Sequence, residues 1–148
     1  MSPAAFQTQT SEGALGWMLS NNMIFRTSSK DPETLATVHG YVLSDELGEK
    51  MGSNLVKLFA KATRSRNGRV KNVTVRDAFL TAAIGAILEM GKIALSEKEM
   101  MLCANIILAL LPFGRLEKAG ITEKPLRNLA HDRSLVGKIR QVCSATRR

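Results

Sequence analysis

At 148 residues, 45% of them hydrophobic, the chain has the length of one domain and enough apolar mass to bury a core, which excludes a chain too polar to fold. Its net charge of +8 is uneven: residues 1–50 carry three cations against six acids, and residues 111–148 carry nine against three. Such a basic balance draws phosphates, anionic headgroups or acidic protein surfaces without choosing among them.

Residues 1–10 are small and polar around Phe6 and read as a flexible lead. Ser11 reads as a cap, and Ala14, Leu15, Met18 and Leu19 recur at helical spacing beside Trp17, so residues 11–29 read as an N-terminal helix and linker. Trp17 either packs onto the domain or serves self-association or partner docking, because so apolar a helix must be covered. The stretch "TSSKDPE" has a breaker signature, with Asp31 as cap and Pro32 suited to the first helical position. A second helix is expected there, carrying Leu35, Val38, Val42 and Leu43, and it opens a helical domain over residues 30–148.

Ser44, Asp45 and Glu46 mark a restart, after which Leu47, Met51, Leu55, Leu58 and Phe59 form an apolar stripe ending at "RSRNGR". Thr74 to Asp77 is a capping box that starts a core helix from about Val75 to Met90. Ser96 to Glu99 is a second box, opening an almost wholly apolar helix that runs up to Pro112. A short helical turn near Arg115 to Ala119 stops at Gly120, and Thr122 or Asp132 caps one broken or two short amphipathic helices carrying Leu126, Leu129, Leu135, Val136, Ile139 and Val142. No stretch reads as a strand, "VKNVTV" being too short and too charged to build a sheet. The expected fold is therefore an all-α, single-domain bundle of about five to seven helices, centred on Ile84, Leu88, Ile106, Ile107 and Leu110.

An enzyme needs converging reactive groups, and the sequence holds no nucleophile elbow, glycine-rich phosphate loop or HExxH pair. His39 and His131 have no partner at ligand spacing, so no metal or other cofactor is expected. Cys103 and Cys143 supply no disulfide framework, which fits a reducing compartment. The opening "MSPAAFQTQTSEG" lacks a charged region followed by an apolar core, and no apolar stretch reaches the ~20 residues of a membrane span. Met90, Met100 and Met101 read as core filling before they read as an adaptable groove.

The strongest functional candidate is "KLFAKATRSRNGRVKNVTVR", which places seven cations from Lys57 to Arg76 with no acid until Asp77. Three readings stand side by side: a solvated helix end and turn, a docking surface for an acidic protein, or attachment to nucleic acid or membrane. Between Lys61 and Arg76 there is no aromatic platform for bases, so any nucleic-acid binding would be unspecific. Lys61, Arg64, Arg66, Arg69 and Lys71, with Trp17, are the candidate partner-binding residues.

From Leu55 to Ile121 the order of features, "LFAKATRSR", a basic spacer, "NVTVRDAFLTAAIGAIL" and "SEKEMMLCANIILALLPFGRLEKAGI", resembles the C-terminal half of paramyxovirus C proteins, especially morbillivirus-like members. The spacer around "EMGKIAL" is longer here, and the N-terminal half has no counterpart. The resemblance implies a non-structural accessory protein of the host cytoplasm, and also of the nucleus, encoded in an alternative frame of the phosphoprotein gene. It would act by binding host signalling proteins and viral polymerase or nucleocapsid components, blunting interferon responses and regulating viral RNA synthesis. The alternative from another class is a basic nucleic-acid-binding or capsid-like protein that self-assembles as a homo-oligomer.

Overall fold

The computed structural model describes residues 5–30, 33–34, 37–64 and 73–144. The longer helices start where a polar side chain satisfies amide groups that the first turn leaves unpaired. The first, α1 (Ser11–Ser20), is capped by Thr10, one residue ahead of the expected Ser11, through a 3.1 Å bond from the Gly13 amide to Thr10 Oγ1. The Ser44 hydroxyl accepts from the Leu47 amide at 3.1 Å and so starts α2 (Asp45–Arg64) at the expected restart. Both capping boxes form: Thr74 and Asp77 open α3 (Val75–Gly91), and Ser96 and Glu99 open α4 (Glu97–Leu110). Short helices α5 (Phe113–Lys118) and α6 (Leu126–Leu129) flank a 3-10 turn at Ile121–Glu123, and α7 (Arg133–Ser144) follows the Asp132 cap. Thr122 is buried in the 3-10 turn rather than serving as a cap. Gly120, at φ +70°, holds the left-handed conformation that separates α5 from that turn.

The described residues are mainly helical, as expected, but they contain one two-stranded sheet where no strand was expected. Residues read as a linker and a second helix instead form an antiparallel hairpin, β1 (Ile24–Lys30) and β2 (Thr37–Leu43), in the register Ile24 to Leu43 through Lys30 to Thr37. The reason lies in composition. Thr37, Val38, Tyr41 and Val42 are β-branched or aromatic and favour a pleated surface, while Gly40 weakens a helix. An isolated two-stranded hairpin is marginal in water, so its base matters: Ile24 and Leu43 are both buried, and the Ser44 amide donates to the Met23 carbonyl at 2.8 Å. Of the residues expected in the second helix, Leu35 lies outside the described residues.

One continuous core joins all of these elements. α3 runs between α2 and α4, α1 lies against α4, and α7 packs on α2. Residues 11–29 are therefore no appendage, since Ala14, Trp17, Met18, Met23 and Ile24 share the core with the helical body. Residues 5–10 lie back on α1: the Phe6 ring stacks on Trp17 at 4.9 Å between centroids, and the Gln9 amide reaches Glu99 at 3.5 Å.

The centre of α3 also differs from the expectation. Its buried face is Ala78, Phe79, Ala82, Ala83, Ala86 and Ile87, with Ile84 at the margin and Leu88 39% exposed. Each step along a helix turns the side chain by ~100°, so a face lined by alanines, where neighbouring helices approach closely, leaves Leu88 rotated outward. On α4, Ile107 is fully buried as expected, whereas Ile106 and Leu110 are half-buried. Phe79 meets Phe113 edge-on at 5.1 Å, tying α3 to α5.

Candidate docking surface

The basic run begins on the second half of α2. Leu55, Phe59 and Ala62 turn inward to the core, and the same rotation puts Lys57 and Lys61 in solvent. Cations in the last turns of a helix suit the negative end of its dipole, which accounts for their local placement without requiring an acidic partner. Neither lysine makes an ion pair with a described residue.

Arg64 is the last residue of α2. Its side chain, and Arg66, Arg69 and Lys71 altogether, lie outside the described residues, as does the "RSRNGR" turn beyond Arg64. Residues 73–75 pair with the segment before α6: the Leu126 amide donates to the Val73 carbonyl at 2.6 Å, and the Val75 amide to the Lys124 carbonyl at 3.1 Å. Thus both ends of the run are anchored, one by α2 and one by this backbone clasp. Arg76, its last cation, reaches Glu117 on α5 at 3.5 Å, and both side chains are about half exposed, so solvent screens the pair.

Trp17, the other candidate residue, is 3% exposed. Its indole lies between Phe6 and Gly91, where a Cβ on residue 91 would come within 2.7 Å of Cη2. The ring is packed into the domain and offers no face to a partner in this conformation.

Beyond Arg76 the sequence shows a positive excess that no local signal gathers onto one surface. Arg127 on α6 and Arg133 and Lys138 on α7 are exposed, and α6 and α7 both pack on α2. The cations of the C-terminal segment therefore stand on helices adjoining the one that begins the run. A longer-range signal was available in the amphipathic spacing of Val136, Ile139 and Val142, which are buried and leave the intervening positions of α7 for charge.

Reactive chemistry among the described residues is sparse. Cys103 is fully buried, and burial, with the nearby Glu99 charge, pushes its thiol up to about 12, so it stays protonated and weakly nucleophilic. The Ser96 amide and hydroxyl hold the Glu99 carboxyl below the usual carboxylate range, which is a cap and not a poised acid. Asp132 is lowered by bonds from the Ser134 hydroxyl and the Leu135 and Ser134 amides, again as a cap, with Lys138 adding its field. No three of the described His, Cys, Asp and Glu residues converge to hold a metal ion. No helix among the described residues is long and apolar enough to cross a membrane. No family model, curated protein or solved structure matches this chain.

Proposed function

We propose that this chain is a binding protein without catalytic activity, an accessory protein of the paramyxovirus C type that antagonises host interferon responses and regulates viral RNA synthesis through an electrostatic docking patch. The observation that carries the reading is the acid-free run from Lys57 to Arg76, which opens with Lys57 and Lys61 in solvent and without ion pairs to described residues. Lys57 and Lys61, which pair with no described acid, repel one another, and an acidic partner removes that repulsion while gaining rate from long-range steering. The family implied by the resemblance works by protein contacts in the host cytoplasm and nucleus.

The test is joint reversal of Lys61, Arg64, Arg66, Arg69 and Lys71 to Glu, followed by affinity capture from transfected cells, an interferon-response reporter, and binding of a short RNA at two salt concentrations. Capture and reporter suppression are expected to fall together in a folded variant. A folded variant that keeps both at normal strength would refute the patch. Tight RNA binding by the parent protein, with a steep inverse dependence on salt, would favour the nucleic-acid-coating alternative, because neutralising phosphates releases counterions.

A further inference from the structure

A second site lies away from the basic run, in a cleft of about 400 Å³ between α5, the 3-10 turn and α7. Its floor is apolar: Leu116, Ile121 and Val142 are each at most 8% exposed. The polar groups that line it are Arg115 on the α5 wall and Lys138 and Gln141 on the α7 wall. Among the described residues, no carboxylate lines the cleft. Arg115 and Lys138 are exposed and make no ion pair with a described residue.

The acids nearest in sequence are already engaged elsewhere. Glu117 meets Arg76, and being two residues from Arg115 it does not share a helix face with it. Asp132 accepts three bonds from Ser134 and Leu135 on its Oδ1, and it feels the field of Lys138 without forming an ion pair with it. Two cations and a side-chain amide lining an apolar floor match a ligand with an acid head and an apolar body. The volume falls within the ordinary range for small-molecule sites, roughly 300 to 1,000 Å³. At about 30 Å³ for a water-sized group it holds on the order of a dozen heavy atoms.

We propose that this cleft binds a small amphipathic carboxylate, with Arg115 and Lys138 clasping the head, Gln141 donating to it, and the apolar body lying on Leu116, Ile121 and Val142. A planar guanidinium fork suits a carboxylate, and the floor is too small for a long acyl chain or a folded partner.

The experiment uses the whole chain, labelled with nitrogen-15 and titrated with octanoate, octanol and acetate. Octanoate should shift amide signals of α5, residues 121–123 and α7 saturably. Octanol, which forfeits the charge-assisted hydrogen bonds, and acetate, which forfeits the apolar burial, should each bind about tenfold or more weakly. Arg115→Gln with Lys138→Gln should weaken octanoate to the octanol level, and Ala119→Phe, which intrudes on the cleft, should abolish saturation. The proposal is overturned if octanoate leaves these signals unmoved, if octanol binds as well, or if the double variant binds octanoate normally. It is equally overturned if an acidic peptide occupies the cleft and octanoate does not. The comparison of three ligands on the parent protein needs no substitution, so a misfolded variant leaves the test intact.

Discussion

Gly91→Ala probes how the N-terminal helix is joined to the body. Gly91 is the last residue of α3, and α3 closes not on it but on Lys92, which takes the left-handed conformation at φ 55° and donates to Leu88 at 3.1 Å. The glycine is needed for another reason. A Cβ there would stand 2.7 Å from Trp17 Cη2 and 2.9 Å from Cζ2, whereas carbon atoms prefer about 3.5 to 4.0 Å. The indole must therefore retreat by roughly 1 Å, and it is hemmed in by Phe6 and the core. Overpacking of this kind costs about 1 to 3 kcal/mol, and the better helix propensity of alanine returns at most about 1 kcal/mol. A net loss of about 1 to 2 kcal/mol is expected, a drop in Tm of about 2 to 4 °C per kcal/mol for a chain near this size. The clashing atoms belong to the six-membered ring, so Trp17→Phe removes them. In that background Gly91→Ala should cost nothing measurable, giving a coupling of about 1 kcal/mol or more in a double-mutant cycle. Urea unfolding followed by circular dichroism reads all four proteins, since fluorescence is lost with the single tryptophan. A neutral or stabilising Gly91→Ala, or an equal cost in both backgrounds, would refute the close approach.

Other substitutions test separate parts of the fold. Ile107→Asp places an unpaired charge at a position with no exposure, and its cost of several kcal/mol against a total of roughly 5 to 15 should abolish the cooperative thermal transition. Ser44→Ala removes the cap of α2 and should lower stability by about 1 kcal/mol in urea titration while leaving the helix content unchanged. The Cys103 thiol sits above its ordinary 9.0, at about 12, so its contribution to stability is complete below pH 9 and is lost as pH rises toward 12; stability in urea should fall across that window, and Cys103→Ala should flatten the decline. Asp132 and Glu99 are shifted in the opposite sense, below the usual carboxylate range. Their caps strengthen folding above that range and are lost as pH falls through it, so Asp132→Asn should make the acid-side decline in Tm shallower.

Local signals in the chain were sufficient for α2, α3, α4 and the stop at Gly120. Capping boxes at Thr74 and Ser96 and the stripe from Leu47 to Phe59 act within one helix, so their meaning does not depend on what packs against them. The acid-free run from Lys57 to Arg76 was equally legible, because charge order along a chain survives any folding. Three features depended on tertiary context. Residues 24–30 and 37–43 pair because Ile24 and Leu43 find the core at the base of the hairpin, and an isolated hairpin has too little burial of its own to announce itself. Trp17 is buried rather than offered to a partner because Gly91, 74 residues away, leaves a surface flat enough to receive it. Arg115 and Lys138 share a cleft only because α5 and α7 are brought together around Ile121. Spacing within one helix fixes which residues share a face, but the distance between faces of different helices is set by packing, and no single stretch of sequence contains it.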